Sequence, residues 1–310
     1  MRNIYLFMAV CLLTLACGGN QETSEGNGFE NDTARWHIAV LPTLDCMPLL
    51  VADERGFFAD EGLSLSLHAY QAQMDADTAL TNGRVVAAVT DLARVEHMLH
   101  EGARLRCPSA TDASWQLLSM RQARITKLPQ LDDKMMAMTR YSATDLLSDL
   151  VVDSAKLKAE RVFRIQVNDI AVRLGMLQSG IMDAMFLPEP QATAARNVMA
   201  HVLYDTRKDS LFLGCIAFNE DSLKGHEQEL QKFLRAYDRA VDSLNEQGIH
   251  TYDGLMQSSF NLPAAVIDSL SSNYRFRHAH APRQTDIDRA KQWWEKRVAS
   301  MKYVEKRYLQ

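Results

Sequence analysis

Cysteine is scarce in this 310-residue chain, five in all, and no two of them have the close spacing of a metal-binding or redox pair. His37, His68, His97 and His100 form no ligand set with a spaced cysteine pair, which leaves a structural zinc site without donors. His278 and His280 have a metal-like spacing, but two histidines alone read as a solvated loop, and no metal is expected. The chain has no glycine-rich phosphate loop and no nucleophile elbow, so nucleotide and hydrolase chemistry both lack their starting residues. No basic stripe exceeds a helical turn and the formal charge is −5, which argues against nucleic acid, since neutralising phosphates takes clustered Lys and Arg. No repeat of solenoid period is visible. The N-terminal apolar run Ile4–Leu15 falls short of the ~20 residues a spanning helix needs.

That run has a different use. With Arg2 as its positive end, residues 1–16 read as a secretory signal. It closes on Leu13-Thr14-Leu15-Ala16-Cys17, which resembles a bacterial lipoprotein cleavage box with Thr14 where leucine is usual. Cys17 would then be the lipid-modified first residue, and residues 17–35, with almost nothing to bury, a flexible tether. The expected location is outside the cytoplasm, lipid-anchored at the cell envelope on its periplasmic face or at the surface. Cys11 leaves with the signal and Cys17 is lipidated, so Cys46, Cys107 and Cys215 remain. Three is odd, and at least one thiol stays free even in an oxidising compartment.

An apolar share of 47% with 24% charged residues is ordinary for a globular protein, and the length allows two domains. Trp36–Leu41 reads as a buried strand ended by Pro42. From Met47 the apolar positions fall at helical spacing, with Pro48 in the first turn and Gly56 as the stop, so Thr43–Cys46 is a strand-to-helix turn. The same order recurs: strands at Leu63–Tyr70, Val85–Thr90, Lys134–Thr139, Val162–Val167 and Ala184–Leu187 alternate with helices stopped at Gly83, Gly102 and Gly180. Such alternation means an α/β fold with parallel sheets. Rising polarity over Arg121–Leu131 suggests where the chain leaves a first lobe, and Leu211–Phe218 the strand that returns it. The lobes expected are 36–120 with 212–310, and 121–211. From His226 onward the pattern is helical, with Leu230, Phe233, Tyr237, Ala240, Val241 and Leu244 on one face.

Three stretches carry a family resemblance: PLLVADERGFFADEGLSLSL, MDADTALTNGRVVAAVTDL and GMLQSGIMDAMFLPEPQATAAR. They resemble the substrate-binding proteins of nitrate, sulfonate, taurine and thiamine-pyrimidine ABC importers, over most of residues 36–220. The resemblance implies a two-lobed periplasmic-binding-protein fold of type II, each lobe a mainly parallel sheet flanked by helices, with the helical C-terminal portion on lobe 1. It implies a monomeric, non-catalytic receptor with a small-molecule ligand and an ABC permease as partners. Related thiamine-pyrimidine synthases hold pyridoxal phosphate on a lysine, but none of the strand-exit turns contains one, and no cofactor is expected. An extracytoplasmic enzyme and a ligand sensor are the alternatives.

In open α/β sheets ligands bind at the carboxyl ends of strands. The exit turns supply Thr43, Asp45 and Cys46; Gln71, Met74 and Asp75; Thr90 and Asp91; Arg140, Tyr141, Ser142 and Thr144; Asn168 and Asp169; and Glu189. Cys46 also reads as a small apolar filler, Asp169 as a helix cap, and Asp75 and Ser142 equally as cap or contact. Glu189 sits in Pro-Glu-Pro, where Pro190 already fills the first-turn role, and this favours a ligand contact. Five of these residues are carboxylates and only Arg140 is a cation. Two carboxylates ~4 Å apart repel by about 4 kcal/mol at an effective dielectric of ~20, so the set favours a solute with a positive or protonatable nitrogen. The free N–H groups of the helix start at Ser142, beside Arg140, offer a small anion the opposite arrangement.

Overall fold

The computed structural model describes residues 35–308, with side chains to residue 300. The expected signal, Cys17 and all but the last residue of the expected tether lie outside the described residues. None of the described helices is long and apolar enough to cross a membrane.

The chain folds into two lobes, each built on a five-stranded sheet. Strands β1 (Trp36–Val40), β2 (Leu65–Ala69), β3 (Ala87–Asp91) and β4 (Leu105–Ala110) open the first lobe, and β5 (Trp115–Ser119), β6 (Lys134–Met138), β7 (Val162–Gln166), β8 (Ala184–Pro188) and β9 (His201–Asp205) form the second. β10 (Gly214–Asn219) returns to the first. The spatial orders are β2-β1-β3-β10-β4 and β7-β6-β8-β5-β9. In each sheet one strand is antiparallel to both its neighbours while the others share a direction. The reversed strands are β5 and β10, the two that enter from the other lobe. A chain leaving one sheet at its carboxyl edge enters the next sheet at the facing edge and runs away from it, so its first strand there must point backwards.

The helices follow from the glycine stops and the apolar spacing. They are α1 (Met47–Glu54), α2 (Phe57–Asp60), α3 (Gln73–Thr81), α4 (Leu92–His100), α5 (Ala143–Ser154), α6 (Ile170–Gln178), α7 (Gln191–Asn197), α8 (Glu220–Leu223), α9 (Glu227–Gln247), α10 (Asp253–Phe260), α11 (Ala264–Asp268) and α12 (Gln284–Tyr308). Gly56, at φ 72°, separates α1 from α2 as expected of a left-handed stop. α9 buries Leu230, Phe233, Tyr237, Val241 and Leu244 against lobe 1. Phe233 stacks on Phe58 at 5.6 Å and meets Phe218 of β10 edge-on at 5.2 Å.

The structure departs from the sequence expectations in four places. The chain crosses to lobe 2 in residues 111–114, not within 121–131, and β5, assigned above to lobe 1, pairs with β8 and β9. The polar stretch after it makes two short 3-10 turns, Arg121–Ala123 and Leu128–Leu131. β9 had no counterpart in the reading, and the helix expected over Pro263–Asn273 is only the five residues of α11. α12 runs farther than the expected Ile287–Ser300; it packs on α4 and also reaches lobe 2, where Trp293 Nε1 donates to Asp149 at 2.6 Å and Arg297 pairs with Asp145.

The two crossings pass each other closely at Gly214. A Cβ there would lie 2.5 Å from Ala113 Cβ, and Thr111 Oγ1 would be closer still. Gly214→Ala is therefore expected to cost about 1–3 kcal/mol, the range for overpacking a tight site. Urea unfolding reads the loss, and an unchanged midpoint would mean that the crossing relaxes around a methyl group.

Candidate functional site

The carboxyl ends of β1 and β3 face those of β6 and β8 across the crossings. Between them lies a small cavity of about 30 Å³. Lobe 1 contributes Leu41, Thr43, Asp45, Gln73, Val89, Thr90 and Asp91, the first crossing and β5 Ala113 and Trp115, and lobe 2 Thr144, Ile170, Arg173 and Pro188. Roomier hollows lie elsewhere, about 710 Å³ between α5 and α12, about 450 Å³ between α3 and α4 and about 280 Å³ beside His100 and Trp294. None of these sits where the strand ends of both sheets converge, so the small cavity is the better candidate despite its size.

The cavity is small because the lobes are shut on each other. Leu44 N donates to Glu189 O at 2.8 Å, and Gln191 Nε2 donates to Pro42 O at 2.7 Å. Ala72 and Asp169 form a backbone bridge, and Arg94 Nη1 donates to Arg140 O at 3.2 Å. The Asp91 carboxylate of lobe 1 also accepts the Ala143 N–H at the start of α5 in lobe 2. Widening the cavity would mean breaking these hydrogen bonds between the lobes, with the two crossings as the hinge.

Five of the candidates taken from the sequence line this cavity: Thr43, Asp45, Thr90, Asp91 and Thr144. Asp45 is buried and accepts the Thr111 hydroxyl at 2.8 Å; burial raises its pKa, against the hydrogen bonds of Thr43 and Thr111. Asp91 caps α4 through Arg94 N at 2.9 Å and accepts Gln73 Nε2 at 2.8 Å. Burial pushes its pKa up to about 6 in spite of these donors. Thr144 Oγ1 accepts from Thr139 N at 2.9 Å.

The remaining candidates are employed elsewhere. Cys46 is buried, its sulfur accepting the Leu41 N–H, and burial raises its thiol pKa. Gln71, Asp75 and Arg140 are exposed, and Met74 lines the hollow between α3 and α4. Tyr141 packs between His97 at 4.6 Å and Trp294 at 5.3 Å. Ser142 caps α5 through Thr144 N, so with Asp91 on Ala143 N the chain itself fills the helix start that the sequence offered to an anion. Asn168 accepts Gln166 Nε2, and Asp169 caps α6 through Val172 N. Glu189 accepts Thr193 N, the Thr193 hydroxyl and Arg196, which makes its side chain an anchor for α7.

The sequence reading missed Gln73, Trp115, Ile170 and above all Arg173. Arg173 is 3% exposed, and burial brings its pKa down to about 10, with Asp169 opposing. One signal could have found it: Ile170, Leu174 and Leu177 mark the buried stripe of α6 and Arg173 falls on that stripe, where a charge needs a reason. Among the described residues no group of three or more His, Cys, Asp or Glu is placed to hold a metal ion. His278 bonds to Asp242, and His280 to the His278 carbonyl, in an exposed loop.

Residues 43–247 match the model of the family described as NMT1/THI5 like. No curated protein matches the chain. Among solved structures, the ligand-binding component of an ABC-type import system from Staphylococcus aureus is similar at a TM-score of 0.72 and 14% identity, over 86% of this chain and 92% of that one. The periplasmic aliphatic sulphonate binding protein of Escherichia coli is similar at 0.70 and 17% identity, over 85% and 93%. The periplasmic nitrate-binding protein of Synechocystis is similar at 0.66 and 12% identity, over 80% and 74%. At these identities the likeness is one of fold.

Proposed function

Because the chain belongs to the NMT1/THI5-like family, we propose that it is an extracytoplasmic solute-binding protein, a monomer that closes two lobes over a small molecule and delivers it to an ABC permease. One observation carries the reading: the strand ends of both sheets meet at a single buried cavity, lined from both lobes and sealed by hydrogen bonds that cross between them. A receptor that must hold and then release its solute needs such a closure, made of a few hydrogen bonds, so that a partner can reopen it. The solved relatives named as import or binding components support the same role.

A non-catalytic role fits the chemistry of the lining. Among the described residues no lysine faces the cavity, which leaves a carbonyl cofactor no amine to hold it, and Cys46 is a buried, neutral thiol bonded to backbone. The segment 1–16, Cys17 and the polar stretch to residue 35 complete the proposal as signal, lipid anchor and tether. The test has two parts. Native mass spectrometry of the purified protein names the co-purifying solute, and uptake of that labelled solute is followed in cells with and without the gene. Loss of uptake on deletion is expected, whereas undiminished uptake would exclude transport and leave a sensor.

A further inference from the structure

Arg173 stands apart from every other polar group in the cavity. Asp45 accepts from Thr111, Asp91 from Gln73 and Arg94, Thr90 donates to Asp77, and Thr144 accepts from Thr139. For the Arg173 guanidinium, by contrast, no acceptor occurs among the described residues, and its Nε and Nη1 are sealed from solvent with no partner. Its nearest source of opposite charge is Asp169, whose carboxylate is engaged with Val172 N at 2.8 Å. A buried cation without an acceptor is costly, and the position on the cavity wall means that a molecule between the lobes would supply what the protein withholds.

We infer that Arg173 anchors the solute and that the solute is an organic acid, its carboxylate, sulfonate or phosphate group bound to the buried guanidinium and its apolar body lying against Trp115 and Ile170. The inference rests on the solute-binding reading. A planar guanidinium matches such oxyanions with parallel, charge-assisted hydrogen bonds. The rest of the wall, Leu41, Val89, Trp115, Ile170 and Pro188, suits hydrocarbon better than a bare inorganic ion. The charge balance drawn from the sequence is thereby reversed. Asp75 is exposed, Asp169 and Glu189 are held by their own helices, Asp45 and Asp91 carry donors from the protein, and the one group left to be completed is positive.

The experiment compares the wild type with Arg173→Met and Arg173→Lys by titration calorimetry and by fluorescence of the cleft tryptophan. The probes are butyrate, butanesulfonate, butyl phosphate, nitrate and butylamine, and native mass spectrometry of each purified protein runs alongside. At least one organic acid should bind the wild type, with affinity falling a hundredfold or more in Arg173→Met and less in Arg173→Lys; the acid that binds identifies the head group. Butylamine or nitrate as the best ligand, or an acid that binds Arg173→Met undiminished, would overturn the anchor and leave the solute-binding reading standing. A wild type with no co-purifying small molecule and no response to any probe would remove both.

Discussion

Asp77→Ala will lower the stability of the protein by about 3–5 kcal/mol, the usual loss when one partner of a buried ion pair is removed. Arg94 Nε lies 2.5 Å from Asp77 Oδ2 with the two side chains 5% and 2% exposed, and Thr90 donates its hydroxyl to the other carboxylate oxygen at 2.9 Å. Without Asp77 the guanidinium keeps only the Arg140 carbonyl, 3.2 Å away across the cleft, and the Thr90 hydroxyl loses its acceptor. Burial raises the Asp77 pKa while Arg94 lowers it, so the pair is held at a cost and is far more expensive to break than to replace. The double variant Asp77→Ala with Arg94→Met should therefore recover most of the loss. Urea unfolding of the four proteins in that cycle measures it; a double variant as unstable as Asp77→Ala alone would mean that the cost is a cavity and not an unpaired charge.

Arg173→Met has the opposite sign. A pKa brought from 12.5 down to about 10 corresponds to roughly 3 kcal/mol of penalty on the charged form, at 1.36 kcal/mol per unit. Because the folded pKa of this cation is depressed, the penalty is present in full at neutral pH and fades only as pH rises past about 10. A methionine of similar length removes the charge and fills the space with apolar atoms, so without solute the variant should be more stable than the wild type by about 2–3 kcal/mol. The protein would then show stability withheld at the site where binding needs it. Thermal and urea unfolding at pH 7 decide the sign, and a destabilised variant would mean that Arg173 finds an acceptor in solution.

Much of the architecture was readable because its signals are local. Gly56, Gly83, Gly102 and Gly180 stop helices where the apolar spacing ends, and each takes a positive φ. The exit turns after β1 and β3 then place Thr43, Asp45, Thr90 and Asp91 at the cavity through topology alone. What stayed hidden depends on long-range pairing. Trp115–Ser119 is apolar whichever sheet it joins, and only its register with β8 and β9 assigns it to lobe 2. His201–Asp205 is an edge strand whose burial does not alternate, so no period-two pattern reveals it. Charge was harder still. Arg140 and Arg173 are the same residue type, each near the start of a helix, yet Arg140 points to solvent and Arg173 into the cavity. Counting charges in the turns alone, without the first helical turn behind them, leaves Arg173 out of the balance.

The position of β10 also bears on the order in which the protein can be completed. β10 lies between β3 and β4, and all of lobe 2 separates it in sequence from β4. A chain delivered N-terminus first across a membrane thus presents β1 to β4 while the strand that joins β3 to β4 has yet to arrive. Lobe 2, from β5 to β9, is contiguous and owes nothing to later residues for its sheet. Contacts between distant segments are entropically slow to form, and apolar strands left unpaired meanwhile invite association with other chains. In a chain delivered that way, the half that emerges first is the half that must wait, its sheet open at the centre until Gly214–Asn219, about two thirds of the way along, has arrived.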